Sequence, residues 1–161
     1  MIKVDQTNME NTVRDIIRKM KASSTMNLKL ALALIERVET EAEKMGVKAV
    51  VAVSDASGRP VAVHCMDGAY IGSFDVALNK TYTSVAFQMS TAKLAELAAP
   101  GGSLYGIQFT NEGKIVIFGG GEPLYLDDAM VGAIGVSGGT AEQDTYLGAF
   151  GRDALKEVLQ R

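Results

Sequence analysis

The sequence contains no tryptophan, only one cysteine and only one histidine among its 161 residues. A single cysteine excludes an internal disulfide, and the lone cysteine and histidine do not form a cluster with the spacing of a zinc site. No apolar run reaches the ~18 residues of a membrane-spanning helix, and the N-terminus lacks the apolar core of a signal peptide. These absences predict a cytoplasmic protein.

Neither sign of charge predominates in the sequence. The formal net charge at pH 7 is -3 and there is no basic run, which argues against a nucleic-acid-binding protein. Hydrophobic residues make up 47% and charged residues 22%, as in ordinary globular proteins, and the length suits one domain with a sizeable core. The 17 glycines, set against 6% aromatics, predict tight turns and close backbone contacts, including contacts between subunits.

Hydrophobic spacing predicts an α+β fold with a mainly antiparallel five-stranded sheet. Helical stripes span residues 27–45, 73–89 with a short continuation over 91–97, and 141–159. Strand-like runs span residues 47–54, 60–66, 106–109, 114–118 and 130–136, and 122–126 adds further pairing. Residues 111–113 are predicted to form the hairpin turn between the third and fourth of these strands.

A separate amphipathic segment precedes the predicted domain. Over residues 7–21 a basic face lies opposite apolar side chains that recur at helical spacing. The apolar side chains are Met9, Val13, Ile16, Ile17 and Met20. Residues 21–25 are predicted to form a flexible link, which divides the chain into an extension with its linker (1–25) and a domain (26–161). A helix of this length is marginal in water, and it therefore needs a partner, such as its own oligomer.

A short apolar strand leads into a glycine turn and then a helix over residues 132–144. Thr140 and Gln143 form a capping box, in which each side chain bonds the other residue's backbone N–H. The free N–H groups and the positive helix end beside Gly138 and Gly139 suit a carboxylate, a phosphate or a propionate. The alternative is that both glycines only permit a close-packed corner. The spacing is neither GxGxxG nor a P-loop with its lysine, which argues against a nucleotide site.

Five short motifs follow one another between residues 26 and 159. They are 53–60 (VSDASGRP), 66–69 (MDGA), 77–80 (ALNK), 119–123 (GGGEP) and 131–139 (VGAIGVSGG), followed by Gln143 and Asp144. In this combination the chain resembles the HbpS/GlcG family, which includes the C-terminal domain of PduO-type proteins. The resemblance implies a profilin-like antiparallel sheet flanked by helices and assembled into homo-oligomers. It also implies a link to heme, which several members bind, or to diol, glycerol or glycolate metabolism.

Two features found in members of this family are missing from the sequence. PduO-type proteins carry an N-terminal cobalamin adenosyltransferase domain, for which 161 residues leave no room, so we do not expect adenosyltransferase activity. Secreted members begin with a signal peptide, which is also missing, so extracellular iron sensing is not expected either.

His64, the only histidine, is the candidate axial ligand for the heme iron that the resemblance implies. In a regular strand His64 shares a face with Met66 while Cys65 points to the opposite face, so His64 and Cys65 do not both bind one iron without a bulge. The alternative for His64 is a half-exposed strand residue without a ligand. Cys65 is either a small buried hydrophobe or a redox-sensitive thiol that alters heme affinity. Met66 is either a weak sixth ligand or a packed side chain.

Lys80 matches the helix lysine of the family and lies near the edge of an apolar helical stripe. There it contacts an anionic group of the ligand, or it is a solvated lysine whose stem packs on the stripe. Glu122 and Asp144 follow the two glycine motifs and are candidate acids or bases, whereas Asp55 and Asp67 are predicted turn formers. No base–nucleophile pair emerges, so the sequence predicts no catalytic constellation.

Three functions are compatible with these features. The first is a cytoplasmic accessory protein that binds heme or a related tetrapyrrole, with His64 on the iron and the Gly138–Gly139 corner or Lys80 at its acidic substituents. The second is an enzyme that acts on a small metabolite of diol or glycerol breakdown through either candidate carboxylate. The third is a docking or chaperone-like partner of a cobalamin-dependent dehydratase or microcompartment system, since residues 7–21 resemble the peptides that direct enzymes into bacterial microcompartments.

Overall fold

A four-stranded antiparallel sheet lies at the centre of the computed structural model, which describes residues 25–159. In chain order the elements are α1 (Leu28–Lys44), β1 (Val50–Asp55), β2 (Pro60–Cys65), α2 (Gly72–Phe87), α3 (Thr91–Ala98), β3 (Gly121–Leu126), β4 (Ala129–Ser137) and α4 (Ala141–Leu159). The strand order is β2-β1-β4-β3, and each neighbouring pair is antiparallel. This confirms the α+β class. The amphipathic segment predicted over 7–21 lies outside the described residues.

The prediction of five strands is wrong, because the segment between α3 and β3 contains none. Ile107–Phe109 and Asn111–Gly113 are single 3-10 turns, and no pair of strands flanks the second, so the predicted hairpin does not form. Residues 114–118 follow an irregular path. The amide of Val116 donates to Oγ1 of Thr83 (3.0 Å) rather than to a neighbouring strand. The strand that completes the four-stranded sheet is β3, a segment for which the sequence predicted only additional pairing.

One face of the sheet packs against α1 and α4 and forms the principal hydrophobic core. Alternate strand residues point to this face, so Val51 and Val53 of β1 meet the helices together with Ile134 of β4. Helix α1 contributes a buried stripe at the predicted spacing: Leu30, Ala31, Leu34, Ile35, Val38 and Ala42. Helix α4 completes this layer with Leu147, Ala154 and Leu155.

The opposite face carries small residues, which let α2 lie close to the sheet. Ala52 and Gly135 pair directly in the β1–β4 ladder, and Ala77 of α2 packs on this side. A Cβ atom on Gly135 would overlap the carbonyl oxygen of Ala77 and lie 3.1 Å from the Cβ of Lys80. Glycine at this position is therefore required by the close approach of a helix backbone.

Lys80 of α2 is fully buried and connects three elements. Its Nζ donates to the carbonyl of Val136 in β4 (2.6 Å) and to Oδ2 of Asp144 in the first turn of α4 (2.9 Å). The ring of Phe118 covers the ammonium, with 4.9 Å between Nζ and the ring centroid. The Lys80 and Asp144 side chains are 0% and 5% exposed, so the ion pair is removed from water. Because an unpaired buried charge is far more costly than a buried pair, each partner holds the other's helix in place.

The triple glycine at 119–121 wraps around this ion pair. A Cβ atom on Gly120 would lie 2.7 Å from Nζ of Lys80, and one on Gly121 would lie 2.8 Å from the carbonyl oxygen of Lys80. Gly148 of α4 faces the backbone of Gly120, where an added Cβ would lie 2.7 Å from the carbonyl oxygen. Main-chain atoms therefore pack directly around the buried charges at positions where no side chain fits.

We expect Gly135→Ala to lower the free energy of unfolding by about 2 kcal/mol, because overpacking against a backbone oxygen is not relieved by rotating a side chain. Urea denaturation followed by circular dichroism measures this change. Gly72→Ala is the matched control, since a Cβ atom there meets nothing within 4 Å, and its stability should not fall. Equal stability of Gly135→Ala and the wild type would contradict the close approach of α2.

We expect Lys80→Met and Asp144→Asn each to lower the free energy of unfolding by about 3 kcal/mol or more, because the remaining partner stays buried without its counter-charge. The double variant should lose less than the sum of the two single losses. Urea denaturation measures all three variants, with Lys93→Met in the exposed Lys93–Glu96 pair as a control that should stay close to the wild type. Strictly additive losses would show that the two side chains act independently.

Candidate functional site

Strand pairing brings all the candidate ligand-binding residues except Lys80 to one end of the sheet. These residues are His64, Cys65, Gly138 and Gly139. Val50, at the start of β1, pairs with Cys65 of β2 on one side and with Ser137 of β4 on the other. His64 and Cys65 therefore lie at the same sheet end as the Gly138–Gly139 corner. The two groups are separated by two strand spacings, or about 10 Å.

His64 lies on the α1 side of the edge strand β2, where it pairs with Val51. Its Nδ1 is 3.1 Å from Oε1 of Glu39 on α1, and the two side chains are 39% and 23% exposed. Because a carboxylate only accepts hydrogen bonds, this contact places the hydrogen of a neutral imidazole on Nδ1 and leaves the lone pair on Nε2. Within residues 25–159 no hydrogen bond engages Nε2, so this nitrogen is available to a ligand.

Cys65 and Met66, the neighbours of His64, lie in different surroundings. Cys65 pairs with Val50 in a regular part of β2, so its side chain points to the α2 side of the sheet, where it is an exposed free thiol. Met66 packs against the α1 core, and its Sδ accepts a hydrogen bond from the amide of Ala49 (3.3 Å). The free nitrogen of His64 is therefore the donor atom that this stretch offers on the α1 side.

The Gly138–Gly139 corner leads into a capped helix, and the amides of Gly139 and Thr140 are bonded within the chain. The predicted capping box is confirmed: the amide of Thr140 donates to Oε1 of Gln143 (2.9 Å), and the amide of Gln143 donates to Oγ1 of Thr140 (3.2 Å). The amide of Gly139 donates to Oδ1 of Asp144 (2.9 Å). A cleft of about 280 Å³ adjoins the corner and is also lined by Lys48. The corner thus supplies the shape of a cleft, and Lys48 supplies a positive charge.

Lys80 reaches this corner from α2, but it is enclosed by the protein. Burial lowers the pKa of its ammonium, and the Asp144 carboxylate opposes that shift. The alternative of a solvated lysine is wrong, since the side chain has no exposed surface. Asp144 bonds both Lys80 and the amide of Gly139, so an internal carboxylate stands where the sequence analysis placed an anionic group of a ligand.

Glu122 on β3 is a second buried carboxylate with a partner of its own. Its Oε2 lies 2.9 Å from Nη1 of Arg152 on α4, a residue that the sequence analysis did not single out. Burial raises the pKa of Glu122, and Arg152 opposes that shift. Asp55 is the turn former that the sequence predicts, because its Oδ1 accepts hydrogen bonds from the amides of Ser57 and Arg59.

Sequence analysis missed Glu39 and the pairing of Lys80 with Asp144. Glu39 follows Ile35 by four residues and so borders the buried stripe of α1, which is a detectable local signal. The partners Lys80 and Asp144 are 64 residues apart and have no such signal. Across the part of the chain that the structure describes, no three His, Cys, Asp or Glu side chains form a possible metal cluster, and no helix is long and apolar enough to cross a membrane.

Known proteins of similar sequence and fold give this site a context. The chain is 39% identical over 142 residues to an uncharacterised 15.0 kDa protein in the dhaT–dhaS intergenic region of Citrobacter freundii, covering 88% of this chain and 100% of that protein. It is 37% identical over 115 residues to the corrinoid adenosyltransferase PduO of Salmonella typhimurium, covering 71% of this chain and 33% of PduO. The crystal structure of a PduOC–heme complex matches with a TM-score of 0.77 and 32% identity, covering 81% of this chain and 94% of that one.

A family match extends over most of the described domain. The sequence model of the HbpS-like family, which is described as 'Haem degrading protein HbpS-like', matches residues 26–151, from just before α1 into α4. This range contains the sheet, the Lys80–Asp144 pair and His64. Together with the relatives above, the match shows that the chain belongs to the HbpS-like family and is homologous to part of PduO.

Proposed function

We propose that this protein is an accessory protein that binds heme or a related tetrapyrrole, with His64 as the axial ligand of the iron. One observation carries the proposal: the imidazole of His64 has its Nδ1 bonded to Glu39, and its Nε2 is free within the described residues. A histidine nitrogen is a common axial ligand of heme iron. Bound heme supplies a redox-active iron, and the protein supplies the donor nitrogen and its surroundings.

The position of His64 supports the binding of a ligand with acidic substituents. β2 is an edge strand of the described sheet, and the His64 side chain is partly exposed there. The cleft at the glycine corner lies at the same sheet end, where Lys48 offers a positive charge to an acidic substituent. We assign the acidic groups of the ligand to this cleft rather than to Lys80, because Asp144 already neutralises the Lys80 ammonium.

The comparisons support a heme-binding role connected with diol or glycerol metabolism. A PduOC protein forms a complex with heme, and another relative is encoded between dhaT and dhaS. The enzymatic hypothesis has weaker support, since Glu122 and Asp144 are each held by a cation of the chain itself. A role in binding is therefore favoured over catalysis.

We also infer that the protein forms a homo-oligomer, as the family resemblance implies. Three apolar side chains close together in sequence, Tyr70, Ile71 and Phe74, are exposed at the start of α2. Large exposed apolar side chains grouped within residues 70–74, here called the apolar patch, are typical of a surface that contacts another protein. A second copy of the chain is the partner that this proposal assigns to the patch.

Titration of the purified apo-protein with hemin, followed at the Soret band, tests the heme proposal. We expect saturable binding by the wild type and a loss of affinity of about tenfold or more in His64→Ala, because the iron loses its axial ligand. Cys65→Ser is the matched control, since it lies next in sequence on the opposite face, and it should bind as the wild type does. Unchanged affinity in His64→Ala would move the ligand elsewhere, and no saturable binding by the wild type would contradict the proposal.

A second candidate function is docking to a partner assembly through the N-terminal extension. The limits of the family match favour it: the match begins at residue 26, and α1 begins at Leu28 with Asn27 as its N-cap. Residues 1–25 precede the range that the family model matches, and the apolar stripe predicted over 7–21 has no assigned role within that range. We propose that this extension docks onto a microcompartment or a dehydratase partner.

Residues 1–24 fused to a fluorescent protein should be enriched in microcompartments purified from cells grown on propanediol, because the predicted helix would present its apolar stripe to a groove. The measurement is fluorescence per milligram of purified microcompartment protein. The control is the same fusion carrying Ile16→Glu and Ile17→Glu, which interrupts the stripe and keeps the length. Equal enrichment of the two fusions would contradict docking through this face.

A further inference from the structure

Glu39 lies against the only histidine of the protein and is carried by a firmly packed helix. Its Oε1 is 3.1 Å from Nδ1 of His64. The adjacent Val38, and Ile35 and Ala42 one turn away on either side, are completely buried against the sheet. The backbone of α1 at residue 39 is therefore held at a constant distance from β2, and the carboxylate is held beside the imidazole.

We propose that Glu39 is the positioning residue of His64, which sets the tautomer and the orientation of the ring so that Nε2 faces the ligand. This inference rests on the proposed function, in which His64 binds heme iron. A carboxylate on the second ring nitrogen fixes a metal-binding histidine in place and makes the donor nitrogen more basic. Because a more basic donor stabilises ferric over ferrous iron, Glu39 lowers the reduction potential of the bound heme.

The neighbouring acids on α1 do not share this role. Glu41 forms an ion pair with Lys44 and accepts a hydrogen bond from Tyr146. Glu43 lies one turn beyond Glu39, and its side chain forms no ion pair within residues 25–159. Glu43 is therefore the matched control for loss of a carboxylate from the same helix.

Nitrogen-15 NMR of the apo-protein at alkaline pH reports the imidazole tautomer directly. We expect the Nδ1–H form in the wild type, in Glu43→Gln and in Glu39→Gln, because a glutamine carbonyl still accepts the hydrogen bond. Glu39→Ala removes the acceptor and should shift the ring towards the Nε2–H form that free histidine prefers. An unchanged tautomer in Glu39→Ala would overturn the positioning role.

The hemin-loaded protein provides a second readout, the reduction potential measured by spectroelectrochemical titration. Glu39→Gln and Glu39→Ala should both raise the potential, since both remove the negative charge from the imidazole. Glu39→Ala should also weaken hemin binding about 10- to 100-fold, and Glu43→Gln should change neither quantity. Wild-type potentials in both Glu39 variants would overturn the proposal.

The His64→Ala variant distinguishes a failure of this inference from a failure of the proposed function. Loss of hemin binding in His64→Ala, together with wild-type potentials in both Glu39 variants, would overturn the positioning role alone. Unchanged hemin binding in His64→Ala would overturn the proposed iron ligand and, with it, the positioning role of Glu39.

Discussion

The buried ion pair between Lys80 and Asp144 is the interaction around which the rest of the structure is arranged. It joins α2 to the first turn of α4, and the same ammonium donates to the backbone of β4. Neither charge is stable at this depth without the other, so the two helices and the sheet depend on one contact. Gly120 and Gly135 follow from it, because they make room for the lysine and for the helix that carries it. The glycine-rich backbone that has the features of an anion site thus surrounds the carboxylate of Asp144.

The proposed iron ligand, His64, lies away from this packed centre, on an edge strand. His64 is partly exposed and has α1 on one side only, so its contacts are few and are dominated by Glu39. A residue in such a place is free to change without affecting the core. Under the proposed function, the residues that stabilise the fold are separate from the residue that binds the iron, and such a separation lets one fold carry different sites.

Local features of this chain were predictable from sequence. The buried stripe of α1 follows the helical period, and the Thr140–Gln143 box joins residues three positions apart. Such contacts form wherever the segment folds, because both partners lie on one turn. Residues 106–118 were misassigned because their structure depends on a distant contact. The amide of Val116 donates to Thr83, 33 residues earlier, and no residue near Val116 in the sequence indicates that partner.

By itself the sequence determined the α+β class, the helices, the Thr140–Gln143 capping box, the family motifs and the lone histidine as a candidate ligand. Only the tertiary structure decided which motif residues meet: Lys80 with Asp144 across 64 residues, and His64 with Glu39 across 25. The same lysine and the same glycines would suit a bound anion if Asp144 lay elsewhere. The physical reason is that helix and turn formation depends on neighbours along the chain, whereas the state of a buried charge depends on which distant element covers and neutralises it.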